Sequence, residues 1–247
     1  MATAANPAAV PATTPAGTAA TTVPNAVPVP TAVPVPTAVP GPAAARPAAP
    51  ARTGPGTGRI AVAGPATPRM RLLIAGVRAA VRRGLDPDTT ARLVADRLAP
   101  HLGPDDLLTA QQRQGDPARY RQHLVHAEED GSFSVVALVW LPGQQTPIHD
   151  HVAWCVAGVH RGQESELRYR LVPDGPTARL EFTEAAVSPQ GSVAAFAPPG
   201  DIHLVRNPGP ETALSIHIYG ADIARLTTSI RRVYRLPAAP GSGPGGA

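Results

Sequence analysis

Two short segments constrain this chain more than anything else in it: G-Q-Q-T-P-I-H-D-H at 143–151 and P-P-G-D-I-H at 198–203. Extended backbone sends residues i and i+2 to one face, so His149 and His151 point together and Asp150 points away. A third imidazole, His203, arriving on a later strand, would complete one facet of an octahedron around a metal ion. The other positions would stay open, which suits a reacting centre rather than a structural one. The fold must therefore bring strands roughly 50 residues apart in sequence side by side.

The surrounding sequence is built for that. From about Arg119 onward, short apolar runs are punctuated by Gly and Pro. Strands are expected at 120–125, 133–141, 147–151, 155–159, 164–171, 179–185, 192–197, 202–206 and 214–219. Many short strands with turn signals between them give a mainly β chain, a sandwich or barrel of the jelly-roll type. Upstream, Leu73, Val77, Ala80 and Val81 follow the i, i+4, i+7, i+8 spacing of one helical face, predicting a helix over 68–84 that stops at Gly84. Asp86-Pro87-Asp88 offers an N-cap followed by Pro in the first turn, opening a second helix to about residue 98. A third short helix is expected to start at Gly103-Pro104-Asp105. These helices are expected to cap a barrel end.

Residues 1–66 differ from everything after them. They hold no Asp, Glu or Lys, and no aromatic residue occurs before Tyr120. Such a Pro- and Ala-rich segment cannot bury enough surface to offset its ordering entropy, so a disordered tail with polyproline II character is expected. V-P-V-P-T-A recurs over 27–38, which reads as a stiff tether rather than a stacked repeat. The expected organisation is a tail at 1–66, a helical cap at 67–114, a barrel at 115–236 and a second disordered tail at 237–247. A start of translation at Met70, the only other methionine, is an alternative.

Charge and cysteine usage narrow the partners. The net charge is +4 and every basic residue is Arg, with no stripe of Arg and aromatics of the kind that binds nucleic acid. No apolar run approaches the roughly 18 residues that span a membrane, and prolines interrupt any secretory leader. Cys155 is the single cysteine, so no intramolecular disulfide forms, which fits a reducing cytoplasm. A cytoplasmic monomer or weak oligomer acting on a small molecule is expected.

Gly143, five residues and His149-x-His151 resemble the first half of the cupin signature, and Pro198-x-Gly200-x-x-His203-x-x-x-Asn207 resembles the second. Gly191 falls one residue further from the proline than the usual pattern. The resemblance covers about 115–235 and implies a cupin barrel with a metal held by His149, His151 and His203. Most metal cupins add a glutamate ligand after the second histidine, where this chain has Cys155 and Val156. Three neutral ligands leave a divalent ion its full charge, which favours a thiolate in the first coordination sphere. Three-histidine iron(II) in a cupin resembles the thiol dioxygenases, the family of cysteine dioxygenase and 3-mercaptopropionate dioxygenase.

Ser215-Ile216-His217-Ile218-Tyr219 places Ser, His and Tyr on one strand face and the isoleucines on the other. This resembles the Ser-His-Tyr relay of thiol dioxygenases, implying catalytic roles for Tyr219, His217 and Ser215. Tyr120-Arg-Gln122 aligns with the strand on which mammalian-type cysteine dioxygenases carry Tyr-x-Arg, whose Arg holds the substrate carboxylate. Gln122 in that place resembles the 3-mercaptopropionate branch, so Gln122 and Tyr120 are implied substrate contacts. Gln donates hydrogen bonds but no charge; Arg225, Arg231 and Arg232 are candidates for a compensating cation. Cys155 is either a partner in a thioether with Tyr219 or a buried unmodified thiol. His101, His123, His126 and His160 are expected outside the site, Trp154 in the core, and Glu164 and Glu166 on a solvated strand face. The implied activity is addition of both atoms of O2 to the sulfur of a small thiol. A cupin oxygenase for a larger thiol or a non-thiol, and a non-catalytic metal-binding sensor, are the alternatives.

Overall fold

A computed structural model describes residues 60–62, 64–174 and 177–236. The elements in chain order are β1 (Ile60–Val62), α1 (Pro68–Val81), α2 (Pro87–Leu98), β2 (Arg121–Ala127), β3 (Ser134–Trp140), β4 (Ile148–His151), β5 (Cys155–Arg161), β6 (Gln163–Asp174), β7 (Thr177–Pro189), β8 (Val193–Phe196), β9 (Ile202–Arg206), β10 (Ala213–Tyr219), α3 (Ile223–Leu226) and β11 (Ile230–Tyr234). They form two facing sheets, ordered β1-β2-β3-β10-β5-β8 and β11-β4-β9-β6-β7. The fold is a mainly β, two-sheet jelly roll with helices added at its N-terminal side. The expected repeat at 27–38 and the tail at 237–247 lie outside the described residues.

Parity along the central strands decides what each face does. In β3, Val135 and Ala137 pack outward with Val156, Ile216 and Ile218 against α1 and α2. Val136, Leu138 and Trp140 point inward with Cys155, Tyr219 and Val205. Leu73, Val77, Val94 and Leu98 are fully buried under the helices, each contributing roughly 1.5–3 kcal/mol. The helices thus cover the outer face of the larger sheet, not a barrel end. Gly158 makes the close approach possible, since a Cβ there would lie 2.7 Å from Leu98 Cδ2.

The start of the second helix matches its sequence signal, and the first opens on a cap, Thr67, that was not anticipated. Thr67 Oγ1 accepts from Met70 N at 3.1 Å with Pro68 in the first turn, and Asp86 Oδ1 accepts from Thr89 N at 2.9 Å. Helix α1 ends at Val81, three residues before the expected stop, and the third helix is a single 3₁₀ turn, Asp105–Leu107. The nine expected strands correspond to β2 through β10. The β6–β7 hairpin runs longer than expected, reaching Gln163–Asp174 and Thr177–Pro189.

Two strands were not foreseen. Ile60–Val62, within the stretch expected to be a tail, pairs in parallel with β2 from Ile60↔Gln122 to Val62↔Leu124. Ile230–Tyr234 pairs with β4 through Val233↔His149 and Ile230↔His151, leaving the histidine strand flanked on both edges. No helix among the described residues is long and apolar enough to cross a membrane.

Candidate metal centre

Strand β4 delivers His149 and His151 to the interior while Asp150 faces the opposite side, where its Oδ2 accepts from Tyr234 Oη at 3.0 Å. Strand β9 runs antiparallel beside it with His203 directly opposite His149. The three rings are buried, with centroids 4.7–5.0 Å apart. One nitrogen from each lies within 4.8 Å of the others, a cluster able to hold a metal ion.

Every ring is anchored through Nδ1. His149 Nδ1 meets Pro147 O at 2.9 Å, His151 Nδ1 meets Asp201 Oδ2 at 3.0 Å, and His203 Nδ1 meets Glu166 Oε1 at 2.6 Å. A neutral imidazole has one N–H, and an acceptor at Nδ1 places it there, leaving the Nε2 lone pair for a metal. Burial, reinforced by the neighbouring imidazoles, holds His149 well below the usual histidine range. Burial lowers His151 as well. Those two rings are thus neutral and ligand-competent near pH 7. The donor set fits a divalent transition ion such as iron(II).

The surroundings correct two expectations. Glu166 does not lie on a solvated face; its carboxylate holds His203 and accepts from Arg168 Nη2 at 2.8 Å. Burial alone would raise it, but the bonds from His203 and Arg168 bring it down to about 2. The Asp201 side chain is buried, and its bonds to the His151 ring and backbone outweigh burial to lower it. Two carboxylates therefore stand behind two of the three ligands, so an ion here would not keep its full charge as the three-ligand count implied. Glu166→Gln keeps the shape and removes the charge. Metal affinity, read by competition with a chelator, is expected to fall about 10–100-fold; unchanged affinity would show that Glu166 does not tune the centre.

Glu164 also faces inward and is buried, against the expectation of a solvated face. Neither carboxylate could be placed from sequence, because an inward Glu-x-Glu and an outward one look alike until the partners are known. Asp201 had a detectable signal: it stands two residues before His203, on the same face of an extended segment.

The residues of β10 assemble as their alternation required. Tyr219 Oη lies 3.2 Å from His217 Nδ1, and His217 Nε2 lies 3.1 Å from Ser215 Oγ. Trp140, not singled out in the sequence, donates from Nε1 to Ser215 Oγ at 3.0 Å. Burial, with His151 and His203 nearby, lowers His217 to about 3, and burial raises Tyr219 well above the usual range. Tyr219 leans toward the cluster, its ring centroid 6.0 Å from that of His151. Cys155 is the cross-strand neighbour of Tyr219 and is fully buried, which pushes its thiol up.

A pocket in front of the histidines is lined by Tyr120, Gln122 and Tyr219 on one sheet and by Thr228, Ser229 and Ile230 at the approach to β11. Tyr120 stacks on Trp140, with centroids 4.6 Å apart. No Arg among the described residues lines this pocket. Arg225 is exposed and paired with Asp222 at 3.0 Å, and Arg231 and Arg232 are exposed. Thr228 and Ser229 carried no sequence signal, since they precede a strand that was not anticipated.

The other histidines stay outside the cluster. His123 Nε2 meets Gln114 O at 2.9 Å, His126 Nε2 meets Glu128 at 2.8 Å, and His160 Nδ1 accepts from Gly103 N at 3.2 Å. His101 ends a 3₁₀ turn. Trp154 packs in the core against Gly220, where a Cβ would come within 2.1 Å of the indole.

Fold and site together define a two-sheet jelly-roll protein with a buried three-histidine cluster. No family model matches the chain. An RmlC-like cupin protein from Desulfovibrio desulfuricans is similar at 24% identity over 49% of this chain and 98% of that one, with a TM-score of 0.34. A Cupin 2 conserved barrel domain protein from Salinispora arenicola is 21% identical over 43% of this chain and 78% of its own, with a TM-score of 0.31. A recombinant oxalate oxidase in complex with glycolate is 17% identical over 49% and 62%, with a TM-score of 0.35.

Proposed function

We propose that this protein is an iron(II)-dependent thiol dioxygenase that converts a small thiol to its sulfinate. The observation that carries the reading is the pairing of a carboxylate-free trio, His149, His151 and His203, with the Tyr219–His217–Ser215 relay inside one jelly roll. When bound, iron(II) supplies open coordination positions and the redox chemistry by which O2 reacts with a thiolate sulfur. The overall change balances without another electron donor: a thiol and O2 give a sulfinate and one proton.

The chain's own residues hold and orient. Tyr219 presents its hydroxyl to the reacting end of the substrate, with His217 and Ser215 fixing its direction. Gln122 and Tyr120, on the pocket wall, orient the polar tail. With no Arg among the described residues that line the pocket, a carboxylate tail meets neutral donors rather than a bidentate clamp. This favours 3-mercaptopropionate-like thiols over cysteine, whose ammonium needs a further partner. The cross-strand pairing of Cys155 with Tyr219 supports a thioether between them.

The test is anaerobic loading with iron(II), then oxygen uptake with cysteine, 3-mercaptopropionate and cysteamine. Faster uptake with 3-mercaptopropionate is expected, with a product heavier by two oxygen atoms. Intact mass after turnover reads the thioether as a loss of two hydrogens. Protein that binds iron yet consumes no oxygen with any thiol would return the assignment to a metal-binding sensor.

A further inference from the structure

A second cavity is lined from β5, β6, β7 and β8 and borders His203 and His217. On one sheet, Ala157 and Ala194 are cross-strand partners and present only methyl groups to it. On the facing sheet, Glu164 and its cross-strand partner Ser188 line it, and Ser192 adds a second hydroxyl. The space offers about 30 Å³ to water-sized occupants. A single water needs roughly 10–15 Å³, so there is room for one small ion and a water beside it.

Glu164 is the anomaly of this cavity. It is only 6% exposed, and its Oε1 has no hydrogen-bond partner. Other inward carboxylates have a basic group beside them: Glu166 has Arg168 at 2.8 Å and His203 at 2.6 Å, and Asp201 has His151 at 3.0 Å. Among the described residues, no basic side chain pairs with Glu164. A buried carboxylate without a cation is costly, and a carboxyl that takes up a proton instead still needs a partner for Oε1. Burial, reinforced by the charge of Glu166, raises the group to about 7, which marks surroundings short of positive charge.

We propose that this cavity binds one small monovalent metal cation, sodium or potassium, on the Glu164 carboxylate, with Ser188 and Ser192 as neutral oxygen donors. Carboxylate and hydroxyl oxygens select a hard ion over a transition metal. The imidazoles at the wall do not compete, since His203 Nδ1 is held by Glu166 and His217 lies between Ser215 and Tyr219. Glu166 is engaged by Arg168 and His203, so one negative charge is left for the ion, which matches a single positive one. A water alone would satisfy Oε1 and leave that charge uncompensated; a cation answers both. The site is separate from the three-histidine cluster and does not depend on the reaction proposed there.

The test follows the melting temperature of the full chain in mildly alkaline buffer, where Glu164 is ionised. NaCl or KCl replaces N-methylglucamine chloride at constant ionic strength, the organic cation being too large for the cavity. A saturable rise is expected, about 3–6 °C once the ion reaches about ten times its dissociation constant. Glu164→Gln keeps the shape and removes the charge, and it should abolish the rise. Ser192→Ala should keep the rise but shift its midpoint to a few-fold higher salt. Crystals soaked in thallium(I), which substitutes for potassium, should show an anomalous peak beside Glu164, a readout that needs no variant to fold. A melting temperature indifferent to the cation, the same rise in Glu164→Gln, or ordered water alone beside Glu164 would overturn the proposal.

Discussion

His149→Ala is expected to lose its metal. The centre depends on three neutral nitrogens with no carboxylate among them, so removing one leaves a two-point grip from His151 and His203. If binding free energy divides among ligands, each imidazole accounts for about 3 kcal/mol or more, and affinity falls on the order of 100-fold or beyond. Iron content after anaerobic loading and gel filtration reads this directly. His123→Ala, outside the cluster, serves as the control and should keep full metal, and circular dichroism should show both variants folded. Stoichiometric iron in His149→Ala would place the centre elsewhere.

Tyr219→Phe is expected to separate chemistry from binding. The ring keeps its packing beside His151 while the hydroxyl 3.2 Å from His217 Nδ1 disappears. Iron content should be that of wild type, and kcat should fall about 100-fold, the scale of a lost proton-handling group. His217 Nδ1 then has no Tyr219 partner, which costs about 1–3 kcal/mol of stability and lowers the melting temperature. Equal iron loss in Tyr219→Phe and His149→Ala would contradict the division between ligands and relay.

Much of this was legible from alternation. In β4 and β10 the period of two assigns every side chain to a face, and the sheets follow it residue by residue. The helix cap at Asp86 was legible as well, since capping is local. What escaped depended on distant partners. Glu166 is turned inward and half-buried because His203, 37 residues later, supplies a donor, and nothing near Glu166 announces that. Strand β11 escaped because I-R-R-V-Y shows two exposed arginines and gains its place only by pairing with β4. The helices were found, but their seat on the outer sheet face depended on Gly158 letting Leu98 approach, a contact between segments far apart.

Strand β10 lies between β3 and β5, with Ile216 and Ile218 under the helices and Ser215, His217 and Tyr219 in the interior. Packing and chemistry share seven residues, divided only by odd and even number. Substitutions can retune either set separately. A one-residue insertion cannot: it would exchange the two sets wholesale, burying hydroxyls beneath the helices and turning isoleucine toward the metal. Relatives of this protein should therefore vary here in letters but never in length.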